Sequence, residues 1–234
     1  GLLILAWAVL SLFFPVYVLP SPAEVFSGLG EYMEPRFLRD LLLSLYRILT
    51  GFGLAFIIAI LLAVPLHRSP LGRYLSATLQ AFQILPAITV GVILVIIFGI
   101  GSMPPIGLAF LMTLPVLLLN TMQALENSSS QLDEYLTSIK ADEHTRFRYL
   151  FKPALVRASK SNLIIGFGLA IKIVVMGEFI GSQDGLGYLL NRARLVFSMR
   201  EVFFYLVILL LITLAFQVLV NLLFAGPLRR YSYD

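Results

Sequence analysis

Lys172 and Glu178 are ionisable residues inside an apolar stretch that runs from Asn162 to Ile180. A charge in the middle of a membrane costs a few kcal/mol or more and normally faces the interior of a helix bundle. Six residues of α-helix separate the two side chains by ~9 Å along the axis and place them on different faces, so we expect no bond between them. A lysine there would attract an anion, because a low dielectric strengthens charge attraction. The alternatives are a structural pair or snorkelling toward the membrane faces.

The other reactive side chains exclude several classes of function. The chain has no cysteine, which removes disulfides and thiolate metal sites. His67 and His144 are far apart in sequence and do not form a metal-ligand motif. No phosphate-binding G-x-x-x-x-G-K-[ST] motif occurs, and the basic residues are not interleaved with aromatic ones as in nucleic-acid sites. We therefore expect neither an enzyme nor a nucleic-acid binder, and any energy for active work must come from another chain.

Long uncharged runs predict an all-α polytopic membrane bundle. The 234 residues are 59% hydrophobic and only 13% charged, about half the charge of a soluble domain. The uncharged run from Tyr74 to Leu125 is too long for one span of ~20 residues, and we divide it at the turn-forming segment 99–105. Because the chain starts with Gly1 rather than Met, we expect further residues ahead of it. The prediction is one transmembrane domain over 1–234 with six spans, at 2–19, 41–66, 74–98, 105–125, 161–181 and 202–225.

Positive charge is distributed unequally between the two sides of this topology. One side carries ten basic residues, namely Arg68, Arg73, Lys140, Arg146, Arg148, Lys152, Arg157, Lys160, Arg229 and Arg230. The opposite side carries five, namely Arg36, Arg39, Arg192, Arg194 and Arg200. Basic residues favour the cytoplasm, so we expect both termini and the loop over residues 124–160 on the cytoplasmic side.

The polar loop 124–160 contains 11 of the 30 charged residues (17 basic and 13 acidic). Its apolar residues recur at helical spacing in two groups, Leu132, Leu136 and Ile139, and then Phe147, Leu150 and Phe151. Asp142 is placed to cap the second of two short amphipathic helices, and Pro153 is expected to end that helix. Helices this short are unstable alone in water, so each needs a surface to pack on.

This loop resembles the EAA loop of ABC-importer permeases, the membrane subunits of binding-protein-dependent importers. The family pattern is Glu-Ala-Ala, three residues, Gly and a later Leu-Pro. Aligned on Pro153, Glu134 takes the Glu position and Lys140 the Gly position, while the residues between depart from the pattern. Lys does not readily adopt the backbone angles that Gly allows, so we expect Lys140 in ordinary helical or turn geometry.

Three further segments are similar to the nitrate/sulfonate/taurine-type branch of these permeases: Leu19–Val25, Ser44–Phe52 and Glu178–Tyr188. The resemblance implies a type I ABC-importer permease fold in the bacterial inner membrane. It also implies that loop 124–160 docks on a cytoplasmic ABC ATPase, which binds ATP and Mg, while this chain holds no cofactor. The residues assigned to coupling are Glu134, Ile139, Lys140, Asp142, Phe147 and Pro153.

The remaining implied partners are a second permease, identical or related, the lipid bilayer and an extracytoplasmic substrate-binding protein. Sulfonates, nitrate-like anions and vitamin precursors are the substrate classes that the family permits. The residues assigned to the translocation pathway are Gln83, Pro86, Lys172, Met176 and Glu178. Helix–helix contact is an equal interpretation for the polar residues of the third span, and a role in folding or in an outer gate is the alternative for Glu178.

Several arginines are assigned to the membrane interface. Arg39 and Arg47 are interpreted as interfacial anchors of the second span. Arg192, Arg194 and Arg200, with Phe197 and Tyr188, form either an outer surface for the substrate-delivery protein or a segment lying at the membrane interface. The rival function is a secondary transporter or channel subunit without an ATPase, or a membrane scaffold without transport. Co-purification of a nucleotide-hydrolysing subunit separates these classes.

Overall fold

A computed structural model describes residues 2–33, 35–127 and 130–225. All regular secondary structure within these ranges is helical, in agreement with the predicted all-α class. Arg229 and Arg230, which contributed to the predicted orientation, lie outside the described residues.

The long helices form the membrane-spanning body. Four segments of the described chain are long and apolar enough to cross a membrane, namely Arg36–His67, Met103–Glu126, Glu143–Gly181 and Met199–Ala225. The helices concerned are α4 (Pro35–His67), α7 (Met103–Glu126), α10 (Lys152–Gly181) and α12 (Met199–Ala225). Three shorter helices precede them, namely α1 (Leu2–Ser11), α2 (Pro22–Ser27) and α3 (Leu29–Tyr32). Five others lie between them, namely α5 (Pro70–Phe82), α6 (Ala87–Phe98), α8 (Ser130–Ser138), α9 (Glu143–Arg146) and α11 (Leu186–Leu195).

The predicted count of six spans is not confirmed. The described chain has four segments that are long and apolar enough to span a membrane, or five if the bent pair of α5 and α6 crosses as one. The predicted first span over 2–19 contains only the ten-residue α1, which covers about 15 Å. After Ser11 the chain turns, and the indole N–H of Trp7 donates a hydrogen bond to the carbonyl of Pro20 at 2.9 Å. The expected third span breaks by 92° between Phe82 and Ala87.

The core lies where α4, α7 and α10 pack closely. Small residues on α4, including Ala55, Ala59 and Ala63, are completely buried. The Phe167 ring of α10 stacks on Phe216 of α12, with centroids 3.6 Å apart. Close approach of small side chains and stacking of large ones give van der Waals contact, which holds membrane helices together where lipid removes the hydrophobic driving force.

Loop 124–160 contains two helical segments, as predicted, but the second does not end at Pro153. Residues 143–181 are helical throughout: α9 passes through a π-helical turn at Phe147–Phe151 into α10. Proline lacks an N–H and its ring collides with the carbonyl four residues earlier in an α-helix. The wider π turn, which closes with the Lys152 N–H on the Phe147 carbonyl, accommodates Pro153 at the start of α10.

Lys140 departs from the geometry expected for it. Its φ angle is +50°, in the left-handed region, although its side chain is exposed rather than sunk in a groove. The Ala141 N–H donates to the Leu136 carbonyl at 2.9 Å, and the Lys140 N–H donates to the Thr137 carbonyl at 3.1 Å. These two bonds form a Schellman motif that ends α8, with Lys140 at the position that usually holds Gly. The expectation of ordinary geometry was therefore wrong. The family pattern has glycine at this position, and glycine adopts the left-handed conformation without strain.

Substituting Lys140→Gly should stabilise the chain. A left-handed conformation costs an L-residue about 1 kcal/mol that glycine does not lose. We expect a small rise in the thermal midpoint of the purified permease in detergent. Ser138→Gly in the last turn of the same helix is the control and should lower the midpoint, since glycine weakens helical positions. A fall in the midpoint for Lys140→Gly would contradict the assigned geometry.

Candidate functional site

Arg47 is buried at the end of the helix bundle opposite loop 124–160. It lies on α4 with 1% of its side chain exposed. Its guanidinium donates to Glu178 Oε1 of α10 at 2.9 Å, to the Asp184 carboxylate, and to Ser102 Oγ at 2.9 and 3.0 Å. The prediction of an interfacial anchor was wrong for Arg47, because its charge and hydrogen bonds are satisfied within the protein. Arg39, also predicted as an anchor, has a 71% exposed side chain.

Glu178 is the acceptor on which this cluster converges. Its carboxylate accepts hydrogen bonds from the Ser44 hydroxyl and from the Gly187 N–H, all at 2.8 Å. Ser44 in turn accepts one from the Leu186 N–H at 2.8 Å. The turn that carries these donors passes through Gly185 at φ +98°, where a Cβ would collide with the Glu178 carboxylate. Only glycine allows the backbone to close so tightly around the buried acid.

We call Ser44, Arg47, Ser102, Glu178 and Asp184 the outer cluster. It connects α4, the turn before α7, the end of α10 and the turn before α11. Glu178 has no exposed surface in the chain, so the cluster favours its alternative role in folding or in an outer gate over a pathway-lining role. Lys172 and Glu178 do not bond to each other in this arrangement, as their spacing predicted.

Lys172 lies apart from the outer cluster, on an exposed face of α10. Its exposed side chain lines a groove between α10 and α12 whose other lining residues include Gly168, Leu206, Thr213 and Gln217. Within the described part of the chain Lys172 forms no salt bridge. An exposed cation in the middle of an apolar span needs water, an anion or protein against it.

The other predicted pathway residues occupy separate places. Met176 is half-buried on α10, one helical turn beyond Lys172. Gln83 and Pro86 are exposed at the break between α5 and α6, where Pro86 precedes the first residue of α6. The single chain does not bring the third-span pair together with Lys172 into one closed site.

The inner end of the molecule exposes part of loop 124–160. Leu136, Leu150 and Phe151 are buried against the helix bundle. Four other large apolar side chains of the loop remain open. Tyr149 is 55% exposed, and the three that we call the loop patch are Tyr135 at 60%, Ile139 at 53% and Phe147 at 46%. Glu134 is exposed on α8, and Pro153 is half-buried.

One ion pair attaches this loop to the turn between α4 and α5, and a second joins α8 to α9 within the loop. Arg68 contacts Glu143 at 2.6 Å and lies over the Phe151 ring at 5.1 Å, while Arg146 contacts Asp133 at 3.4 Å. The prediction that Asp142 caps the second helix is confirmed, because its carboxylate accepts from the Thr145 N–H at 3.3 Å. A hydrogen bond from the Thr145 side chain lowers the pKa of Asp142.

The outer cluster generates a prediction about buried charge. Arg47→Met leaves Glu178 without its cation, and breaking a buried ion pair costs about 3–5 kcal/mol. We expect this variant to lose that stability in SDS-induced unfolding of the purified permease. The double variant Arg47→Met/Glu178→Leu should recover part of the loss, since neither charge is then stranded.

Arg39→Met is the matched control for this prediction. It removes the same charge from an exposed position on the same helix, where an ion pair contributes at most about 1 kcal/mol. Strictly additive losses in the double variant would show that the two residues do not act as a pair.

The comparisons with known proteins agree with this architecture. Residues 51–231 match the family described as the binding-protein-dependent transport system inner membrane component. The chain is 33% identical over 212 residues to the riboflavin transport system permease of Chloroflexus aurantiacus, covering 90% of this chain and 79% of that protein. It is 28% identical over 188 residues to the formylaminopyrimidine transport permease of Halalkalibacterium halodurans, covering 80% and 75%.

Two further relatives bear on chemistry and fold. A putative aliphatic sulfonates transport permease of Bacillus subtilis is 26% identical over 195 residues, covering 80% of this chain and 68% of that protein. The methionine ABC transporter in an inward-facing conformation superposes with a TM-score of 0.72 at 18% identity, over 85% of this chain and 97% of the matched chain, which shows a shared fold. The chain therefore belongs to the binding-protein-dependent transport system inner membrane component family and is a permease subunit of an ABC importer, not an enzyme.

Proposed function

We propose that this chain lines the pathway of an importer for small anions and receives its driving force through loop 124–160. The observation that carries the proposal is the loop patch, which leaves large apolar side chains exposed in the most polar part of the chain. Exposed apolar surface rimmed by charges is typical of a protein-binding site. Lipid is an unsuitable cover, because the patch is flanked by acidic residues as well as basic ones, namely Asp133, Glu134, Asp142 and Glu143, and the headgroups of the cytoplasmic leaflet are anionic.

An ABC ATPase is the partner that this patch fits. The family is served by such ATPases, and this chain contains no phosphate-binding motif of its own. In the proposed complex the ATPase holds ATP and Mg, and Ile139 and Phe147 enter its docking groove. Glu134, Lys140, Asp142 and Pro153 shape the loop that presents them. A second permease copy, identical or related, and an extracytoplasmic binding protein complete the importer.

The proposed orientation puts loop 124–160 in the cytoplasm and the outer cluster on the opposite side of the inner membrane. Helix α12 then ends on the cytoplasmic side, as proposed for the C-terminus. Helix α1 lies beside the outer start of α12, since Trp7 stacks on Phe203 with centroids 5.6 Å apart. A cytoplasmic N-terminus stays a prediction.

The substrate class is proposed from Lys172. Its cation stands in a mainly apolar groove, and attraction for an anion is stronger there than in water. A sulfonate fits this chemistry, and one relative is described as a putative aliphatic sulfonate permease. A neutral heterocycle is the second candidate, because two relatives are described as transporting riboflavin and formylaminopyrimidine. Gln83, Pro86 and Met176 are proposed to line the same pathway when two permeases meet.

Substituting Phe147→Asp should prevent docking of the ATPase. An unpaired carboxylate buried in the docking groove costs about 3 kcal/mol, which weakens binding roughly a hundredfold. The measurement is the ATPase-to-permease ratio after co-purification, together with transport in vesicles. Gln183→Asp adds the same charge to an exposed position on the opposite side of the membrane and should leave the ratio unchanged. Full ATPase stoichiometry and transport with Phe147→Asp would remove the docking proposal.

Substituting Lys172→Met should reduce import of an anion while assembly and basal ATP hydrolysis persist. Loss of about 1.4 kcal/mol of attraction corresponds to a tenfold fall in uptake efficiency. Lys172→Arg keeps the charge and should retain most of the activity. Failure of Lys172→Met to assemble would make Lys172 a structural residue. Unchanged transport would exclude the anion proposal and favour the neutral heterocycle.

A further inference from the structure

The turn between α11 and α12 exposes three consecutive apolar side chains. Leu195 and Val196 are each 65% exposed, and Phe197 is 78% exposed. We call these three residues the outer apolar turn. Tyr188, which sequence analysis grouped with Phe197, is half-buried under Arg36, whose guanidinium lies 5.4 Å from its ring centroid. The exposed surface is therefore confined to the turn.

The backbone of this turn holds the Phe197 ring outward. Its φ angle is +56°. The Ser198 N–H donates to the Ala193 carbonyl at 2.9 Å and the Phe197 N–H donates to the Arg194 carbonyl at 3.1 Å, which makes a Schellman end to α11. A bulky L-residue is rare in this conformation. With most of its surface exposed, the ring obtains little packing within the chain to offset the unfavourable backbone.

The position of α12 places the turn at the membrane surface. Its 27 residues extend for about 40 Å, close to the full thickness of a bilayer with its headgroups. Met199, its first residue, then lies at headgroup level, and the outer apolar turn directly precedes it. Of the four spanning segments α12 is the least buried, at 17% of its apolar stretch, and Leu211 and Leu214, which do not line the Lys172 groove, are about half exposed. The outer apolar turn therefore meets the bilayer surface at the level where this exposed helix enters it.

Exposed arginines flank the turn. Arg192 and Arg194 precede it and Arg200 follows it. Arg194 lies over the Phe179 ring at 4.9 Å, and Arg200 is 3.9 Å from Glu24, so both are held near the protein with part of each side chain in solvent. Arginines beside an apolar surface at this depth can bind lipid phosphates while the apolar side chains enter the acyl boundary.

We propose that the outer apolar turn inserts into the bilayer surface, with Arg192, Arg194 and Arg200 at the phospholipid headgroups. The occupant of this surface is lipid and not the substrate-delivery protein, because the turn stands at headgroup level where the poorly buried α12 enters the bilayer. The insertion anchors the far end of α11, whose first residue donates its N–H to Ser44 of the outer cluster. Lipid contact at the turn thereby restrains the helix that closes around Glu178.

The absence of cysteine from the sequence allows a direct test. Phe197→Cys is labelled with a nitroxide in the assembled importer, free of other reactive cysteines, in vesicles of phosphatidylethanolamine and phosphatidylglycerol. The collision rate of the nitroxide with oxygen, which concentrates in lipid, is compared with its collision rate with a water-soluble nickel chelate. We expect an oxygen-to-nickel ratio several-fold above that of Gln183→Cys on the same side, and below that of Leu211→Cys within α12.

Two outcomes would overturn the proposal. A ratio equal to that of Gln183→Cys would place the turn in water. Shielding from both reagents that arises only when the substrate-binding protein is added would make that protein the partner. Val196→Cys, which keeps the Phe197 ring, repeats the measurement if Phe197→Cys disturbs folding, and it should show the same lipid exposure.

Discussion

Arg47 is a charge that water cannot reach, and the outer half of the molecule is arranged to satisfy it. A guanidinium carries five N–H donors in a fixed plane. Here its partners come from three places distant in sequence: Ser102 before α7, Glu178 on α10 and Asp184 before α11. If any one of these partners moved, a buried polar group would lose its hydrogen bond. The cluster therefore restrains all these elements together.

The inner end of the molecule is held by weaker forces. The Arg68–Glu143 and Arg146–Asp133 ion pairs have partly exposed partners, and exposed ion pairs contribute little to stability. Buried Leu136, Leu150 and Phe151 attach the loop, while the loop patch remains available to a partner. The two ends therefore differ. Buried, hydrogen-bonded charges hold the outer end, whereas the inner end exposes apolar side chains that a partner can cover.

A continuous helical segment connects these two ends. Residues 143–181 extend for about 58 Å if regular, from the ion pairs of loop 124–160 to Glu178 in the outer cluster. The π-helical turn lets this segment pass Pro153 without a break. In the proposed complex, a displacement of the loop by the ATPase would act on the same helix that carries Lys172 and Glu178. This connection offers a physical route from the loop to the outer cluster.

The sequence by itself determined what composition and periodicity control. The all-α class, most of the long apolar helices, the amphipathic loop and the Asp142 cap follow from local pattern, because uncharged runs and capping residues act on neighbouring backbone. Glu134, Pro153 and the segment Glu178–Tyr188 also identified the family. The first span stays a prediction, and a run of apolar residues did not reveal that the chain turns after Ser11.

Only the tertiary structure decided which charges pair and which backbone angles are strained. Arg47 looked like an interfacial anchor because its partners lie 55 to 137 residues away in sequence. One feature of the sequence could have indicated that Arg47 is buried: it follows an uncharged run and lies one helical turn after Ser44. Lys140 was misjudged because residue type expresses only a preference for φ, whereas the carbonyls of Leu136 and Thr137 impose the left-handed turn that ends α8. Long-range pairing and hydrogen-bond closure depend on chain positions that no local pattern encodes.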